Sequence, residues 1–229
     1  MNIVLASGSP RRYDLLKQMG WNVEVHSLPF PEVETVMEAV EQVNVLREKL
    51  LRNAEEKITA QKIITFSEKD LALLFPYRNA DLVCAYNALG KGKAAAMVTG
   101  TGVPVIAADT IVVLGENILG KPADAADAKR MLHLLSGKAH EVKTAIAVMY
   151  KDKTVLQVVT TVVYFRTLTE PEIEWYVQTG EPLDKAGAYG IQGKGTVLVE
   201  RIEGSYDNVV GLPLATVYEI LKNTVFCNI

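Results

Sequence analysis

Short apolar runs and longer alternating runs along the chain predict β-strands separated by helices. Residues 103–107 and 111–114 are almost wholly apolar, which is typical of buried strands. Residues 141–149 and 154–165 are rich in β-branched side chains and are joined by a charged KDK turn, a pattern that predicts two long strands. Further strands are predicted at 2–6, 22–27 and 196–203.

Apolar residues at helical spacing alternate with these strands and predict the helices. The predicted helices lie at 10–19, 35–56, 125–135, 169–178 and 212–223, with a further helix that runs to Val98. Thr169 and Glu172 have the spacing of a capping box. Residues 62–87 are ambiguous, because KIITF resembles a strand whereas LALLF before Pro76 resembles the end of a helix. The interleaved order favours an α/β or α+β fold around a mixed sheet.

Composition limits the classes of function. The 229 residues are 49% hydrophobic, enough for a real core, and their net charge of -3 argues against a nucleic-acid coat and against a protein of the membrane surface. Two cysteines far apart imply neither a disulfide framework nor a zinc site. No signal peptide and no apolar run of membrane-spanning length is found, so a cytoplasmic protein is expected.

The segment ASGSPRR places two arginines at the start of the first predicted helix. Ser9 is a good N-cap residue, and Pro10 suits the first helical position. Cations in a first helical turn cost roughly 0.3 to 1 kcal/mol each, because they face the positive end of the helix dipole. A bound phosphate would reverse that effect by accepting from the helix amides, Ser9, Arg11 and Arg12. The alternative is that both arginines point into water.

Two further segments carry candidate chemistry. Asp109 is placed at the end of an apolar strand, where a carboxylate is expected to have a task or a partner, and a structural aspartate that caps a turn is the alternative. Lys121 follows in the next loop. The segment DKAGAYGIQG, with three glycines and Gln192, favours a backbone that passes close to a ligand. Glu32 and Glu34 are candidate carboxylate ligands for Mg²⁺.

Four segments together resemble the Maf family of nucleoside triphosphate pyrophosphatases, in that family's order. They are LASGSPRRYDLL, AADTIVVLGENILGKP, MLHLLSGKAHEVKT and DKAGAYGIQGKGTVLVERIEGSYDNVVGLP. The resemblance covers residues 3–34 and 88–222. It implies an elongated α/β fold like that of inosine triphosphate pyrophosphatase, with a mixed central sheet flanked by helices and two lobes beside a cleft. It also implies a homodimer.

The resemblance further implies an activity and the residues that perform it. Such enzymes hydrolyse a nucleoside triphosphate to the monophosphate and pyrophosphate with a divalent cation, Mg²⁺ or Mn²⁺, and the ADT and IQG motifs resemble the branch that acts on dTTP and UTP. By this resemblance Asp109 activates water and, with Glu32 or Glu34, holds the metal. The residues implied in substrate binding are Ser9, Arg11, Arg12, Lys93, Thr110, Lys121 and Gln192. A nucleotide-binding regulator of cell division without catalysis is the alternative.

Two parts of the chain depart from the family pattern. Residues 43–87 have no match and are interpreted as a helical insertion within a single domain of two lobes that spans 1–229. The family also places a lysine on the helix before the ADT strand. Lys93 of GKGKAAA is the better candidate for it, and Lys49 of REKL is the alternative.

Overall fold

The computed structural model of the chain describes residues 1–51, 66–100 and 102–225 and confirms a mixed α/β fold with a central sheet flanked by helices. The strands in these residues are β1 (Asn2–Leu5), β2 (Asn22–Val25), β3 (Val105–Leu114), β4 (Asn117–Leu119), β5 (Ala139–Tyr150), β6 (Lys153–Phe165) and β7 (Val199–Glu203). The α-helices are α1 (Pro10–Gln18), α2 (Val36–Leu51), α3 (Glu68–Leu74), α4 (Asn79–Thr99), α5 (Ala125–Leu135), α6 (Glu170–Gln178), α7 (Tyr206–Val210) and α8 (Leu214–Thr224).

The seven described strands form one sheet in the order β2-β1-β3-β5-β6-β7, with β4 paired to β3. Strand β1 runs parallel to both of its neighbours, with Asn2 opposite Asn22 and Val4 opposite Val105. Strands β4 and β7 pair antiparallel to β3 and β6. Parallel and antiparallel pairs therefore occur in the same sheet, as the interleaved pattern of strands and helices predicts.

The chain divides into two compact units. Unit 1 comprises Met1–Asp109, Ala145–Val158 and Ala215–Ile229, and unit 2 comprises Thr110–Thr144 and Val159–Leu214. In unit 1 the apolar residues Ile3, Val4 and Leu5 of β1 are buried, as the NIVLA pattern requires. Helix α2 packs against α3 and α4 in the same unit.

Several predicted boundaries are wrong. Strand β3 is continuous from Val105 to Leu114, so Asp109 lies in its middle and not at a strand end. Polar Asp109 and Thr110 interrupt the apolar run without ending the backbone pairing. Strand β7 begins at Val199, because Gly193–Leu198 forms a 3-10 helix. Helix α7 was not predicted, and the strand predicted from KIITF falls largely on residues 62–65, outside the described residues.

Parts of three helices lie among the described residues of the stretch 43–87, which the sequence pattern marks as a helical insertion. They are the second half of α2, the whole of α3 and the start of α4. Helix α3 begins at a capping box in which the Ser67 and Asp70 side chains each bond the other residue's backbone. Residues 52–65 lie outside the described residues, so the insertion as a whole stays a prediction.

His140 lies in the hydrophobic core of unit 2, against the rings of Phe165 and Tyr189. It is 3% exposed, and one ring nitrogen, Nε2, lies 2.8 Å from the Tyr189 hydroxyl. Burial disfavours the imidazolium and lowers the pKa of His140 from 6.5 to about 4. The folded protein therefore holds this ring neutral at pH values where the unfolded chain binds a proton.

We expect the free energy of unfolding to fall as the pH is lowered from 6.5 to 4. Between these pH values residue 140 binds more protons in the unfolded chain than in the folded protein. The free energy of unfolding therefore falls by about 1.4 kcal/mol per pH unit and by about 3 kcal/mol in all. Urea unfolding at pH 7, 5.5 and 4 measures the dependence. His140→Gln should flatten it. Equal slopes for wild type and His140→Gln would contradict the assignment.

Candidate active site

The start of α1 gathers positive charge in unit 1. Ser9 is the N-cap residue and Pro10 occupies the first turn, as predicted. Within the described residues 1–51, the Ser9 side chain makes no hydrogen bond to the amides of α1. Arg12 donates from Nη1 to the Ser7 hydroxyl at 2.9 Å, and Ser7 is 8% exposed. Sequence reasoning missed Ser7, which holds the guanidinium against the loop that precedes the helix.

Arg12 and Asp109 act on each other electrostatically. Burial lowers the pKa of Arg12, the negative charge of Asp109 opposes that change, and Arg11 adds to it. Glu32 also acts on Arg12, in the same direction as Asp109. The arginines at the start of α1 and the carboxylate from β3 therefore belong to one charged cluster, which is the arrangement that the phosphate hypothesis requires.

Helix α4 approaches very close to the face of β3 that carries Asp109. Residues two apart on a strand share a face, so Ala107 and Asp109 point the same way. A Cβ atom on Gly92 would lie 3.3 Å from the Ala107 Cβ and 2.9 Å from the Met149 Cε. Glycine at position 92 thus permits the close packing that brings side chains of α4 within reach of Asp109.

Lys91 of α4 joins two carboxylates. Its ammonium lies 2.7 Å from Oδ1 of Asp109 and 2.6 Å from Oε2 of Glu32. Asp109 and Lys91 are largely shielded, with 11% and 17% of their side chains exposed, whereas the Glu32 side chain is 50% exposed. One cation therefore sits between a buried carboxylate and one that is open to solvent.

The two lysines predicted from the family pattern have other positions in the structure. Lys93 pairs at 2.6 Å with Asp70, which Ser67 also binds through its backbone N–H and its hydroxyl. Lys49 is exposed on α2. Sequence reasoning missed Lys91, which is the lysine that contacts Asp109, although Lys91 and Lys93 stand in the same GKGK run.

Asn87 is a second residue of α4 that sequence reasoning missed. It is 3% exposed, and its Nδ2 donates to the Val33 carbonyl at 2.9 Å and to Oδ2 of Asp109 at 3.2 Å. Its Oδ1 accepts from the Val33 N–H at 2.9 Å. A polar residue inside the apolar run VCAYNALG was the available signal.

The two candidate glutamates differ in position. Glu32 contacts Lys91 and so lies at the charged cluster. Glu34 is exposed, and its backbone N–H donates to Oε2 of Glu38 at 2.8 Å, which fixes the entry to α2. Of the two, Glu32 is the carboxylate that the structure brings to the partner of Asp109.

The remaining predicted residues belong to unit 2. The Thr110 hydroxyl lies 3.0 Å from the Thr144 hydroxyl, which in turn donates to the Asn208 carbonyl. Lys121 and Gln192 are exposed. These three residues lie in unit 2, whereas the charged cluster at Asp109 lies in unit 1. Their contact with substrate stays a prediction.

A network in unit 2 fixes the loop that bears Gln192. The Tyr176 hydroxyl accepts from the Gly190 N–H and donates to Glu181, whose carboxylate also accepts from the amides of Lys194 and Gly195. A Cβ atom on Gly195 would come within 2.1 Å of the Gly190 carbonyl oxygen. Glycine at position 195 thus permits the close approach of the backbone at Gly190.

Comparison with known proteins shows the family of the chain. The family model described as Maf-like protein matches residues 2–224. The chain belongs to the Maf family. A Maf relative from Vibrio cholerae, named dTTP/UTP pyrophosphatase, is 45% identical over 219 residues, which are 96% of this chain and 96% of that protein.

Further comparisons extend the list of Maf relatives. A protein of the same name from Bacillus cereus is 41% identical over 220 residues, 96% of this chain and 94% of that one. A third from Salmonella typhimurium is 41% identical over 221 residues, 96% and 92% of the two chains. Among solved structures, the Ham1 protein of Staphylococcus aureus matches 72% of each chain with a TM-score of 0.38 and 15% identity.

Proposed function

We propose that this Maf protein hydrolyses dTTP and UTP to the nucleoside monophosphate and pyrophosphate. Relatives that match nearly the whole chain are named dTTP/UTP pyrophosphatase. The observation that supports the proposal best is the contact of Lys91 with both Asp109 and Glu32. Burial lowers the pKa of Arg12, and the negative charges of these two acids oppose that change. The charged cluster combines a buried carboxylate with the positive charge that a triphosphate needs.

The positive charge serves to hold and neutralise the polyphosphate. A triphosphate carries about four negative charges, and its cleavage depends on positioning and charge stabilisation more than on covalent chemistry. Arg12, Arg11 and the amide groups at the start of α1 supply positive charge beside Asp109. The Ser7 hydroxyl keeps the Arg12 guanidinium in place.

Asp109 serves as the general base. Its carboxylate takes a proton from a water molecule, the water oxygen forms a bond to the α-phosphorus, and the bond from that phosphorus to the bridging oxygen breaks. Pyrophosphate leaves with the electron pair. General-base catalysis of this kind contributes typically about 10²- to 10⁴-fold to a rate.

The carboxylates of Glu32 and Asp109 would hold a divalent cation, which we propose to be Mg²⁺ or Mn²⁺. Two carboxylates, Glu32 and Asp109, already converge on a single cationic group. No cluster of three or more acidic, histidine or cysteine side chains suited to a metal occurs among the described residues. Mg²⁺ is typically held by one or two carboxylates together with substrate phosphates. When bound there, the ion would withdraw charge from the phosphate oxygens.

Pyrophosphate release from a panel of nucleotides tests the proposed function. With Mg²⁺ or Mn²⁺ present, we expect dTTP and UTP to be hydrolysed at least about tenfold faster in kcat/KM than ATP and 7-methyl-GTP, a difference of about 1.4 kcal/mol in transition-state binding. Tight binding of dTTP without turnover would contradict the proposal and favour a nucleotide-binding regulator.

We further propose, from the family resemblance, a homodimer that acts in the cytoplasm. None of the described helices combines the length and the apolar composition of a membrane span. The net charge of -3 also gives no general attraction to nucleic acids. Sedimentation velocity of the purified chain should show a dimer, and a monomer would contradict the proposed homodimer.

A further inference from the structure

We propose that Asn87 is a positioning residue that fixes the Asp109 carboxylate and the Glu32 segment relative to each other. The inference rests on the proposed function, and it assigns a role to a side chain that neither the base nor the phosphate site accounts for. Among the described residues, Asn87 bonds the Asp109 carboxylate and the backbone of Val33, which follows Glu32. The role proposed for it is therefore exerted through these two residues.

The orientation of the Asn87 amide is determined by its partners. The Val33 N–H can only donate and the Val33 carbonyl can only accept, so Oδ1 must face the first group and Nδ2 the second. The second hydrogen of Nδ2 is then directed to Oδ2 of Asp109. A flipped amide would place two donors together at Val33 and an acceptor against a carboxylate oxygen. The donation to Asp109 follows from this geometry.

Asn87 and Lys91 share the two oxygens of Asp109. They stand four residues apart on α4, so their side chains lie on the same face of the helix. Lys91 contacts Oδ1 and Asn87 donates to Oδ2. The two donors therefore prevent rotation of the carboxylate and keep Oδ1 directed towards Lys91, which also contacts Glu32.

The same side chain holds the segment that carries Glu32. Val33 is buried and follows Glu32 directly, and both polar groups of its backbone are bonded to Asn87. The Glu32 backbone is thereby fixed next to α4, although its side chain is half exposed. Residues that orient the ligands of a metal typically change metal affinity or activity by about 10- to 100-fold when they are replaced.

The main test compares Asn87→Leu with wild type. Leucine has a similar volume but no polar atoms, so it releases Val33 and Asp109 together. We expect kcat for dTTP to fall about 30-fold with KM changed less than about threefold. We also expect Mn²⁺, titrated with a non-hydrolysable dTTP analogue and followed by electron paramagnetic resonance, to bind about tenfold more weakly. The protein should remain folded by circular dichroism.

A second variant separates positioning from packing. Asn87→Asp keeps an acceptor for the Val33 N–H but replaces the donor to Asp109 by a carboxylate, so kcat should fall at least as far as in Asn87→Leu. Asn44→Leu, the same exchange at an exposed position of α2, is the matched control and should retain wild-type turnover and Mn²⁺ affinity.

The outcomes distinguish this inference from the proposed function. If Asn87→Leu is less stable but keeps wild-type kcat and Mn²⁺ affinity in its folded fraction, the residue is structural only and the inference is overturned. Full turnover by Asn87→Asp would overturn it as well. If wild type itself releases no pyrophosphate, the proposed function fails, and the Mn²⁺ titration then decides the role of Asn87 alone.

Discussion

Replacing Asp109 by asparagine should reduce kcat for dTTP by about 10³-fold, which corresponds to about 4 kcal/mol in the barrier. The amide preserves the size of the side chain but cannot accept a proton from water. Because the arginines at α1 are untouched, the affinity for a non-hydrolysable dTTP analogue, measured without a divalent cation, should change less than about fivefold. Steady-state kinetics and calorimetric titration measure the two quantities.

Asp70→Asn is the matched control for this experiment. Asp70 is also a buried aspartate paired at 2.6 Å with a lysine of α4. Its exchange should lower the free energy of unfolding, since it weakens the contact between α3 and α4, but leave kcat within about twofold of wild type. An Asp109→Asn protein with unchanged kcat would remove Asp109 from the role of base.

Lys91→Met should lower kcat/KM for dTTP by about 10²- to 10³-fold, because the ammonium contacts both Asp109 and Glu32. Methionine keeps most of the length of the side chain and removes its charge. Asp109 then loses the ammonium that holds its Oδ1, and the cluster loses one of the positive charges that a triphosphate needs. Pyrophosphate release over a range of dTTP concentrations measures the loss.

Lys93→Met provides the comparison, two residues further along α4. Lys93 pairs with Asp70 and not with Asp109, so its exchange should cost stability, about 1 to 3 kcal/mol, and leave kcat/KM within about threefold of wild type. The family pattern alone favours the opposite result. Equal losses for both variants, or a larger loss for Lys93→Met, would contradict the site described above.

The choice between these lysines shows the limit of sequence reasoning about α4. Residues two apart on a helix lie on nearly opposite sides of it. The two lysines of a GKGK run therefore always lie on opposite sides of the helix. The pattern does not show which side faces the sheet, because apolar and small residues surround nearly the whole helix from Ala80 to Ala95. The decision comes from Gly92, whose missing side chain lets α4 approach Ala107.

Local signals predicted the start of α1 better. Ser9, Pro10 and the arginines define a helix terminus by chemistry that acts over a few residues, and the structure has the helix at Pro10. The capping box at Thr169 is also present in the structure. By contrast, the position of Asp109 within β3 depends on pairing with distant strands, which a local pattern cannot report.

The partners of Asp109 illustrate the same distinction. Asn87 and Lys91 lie 22 and 18 residues before it, and Glu32 comes from a loop before α2. Their meeting is a result of packing α4 on β3 and of the bonds between Asn87 and Val33. Composition and periodicity describe each segment by itself, so the family resemblance was needed to propose the base and could not decide its neighbours.

A crystal structure with a non-hydrolysable dTTP analogue and Mn²⁺ tests the central claim most directly. The account predicts phosphate oxygens in contact with Arg12 and the first amides of α1, and Mn²⁺ bound to oxygens of Asp109 and Glu32. A triphosphate that lies elsewhere, touching neither Arg12 nor the Asp109 region, would contradict it.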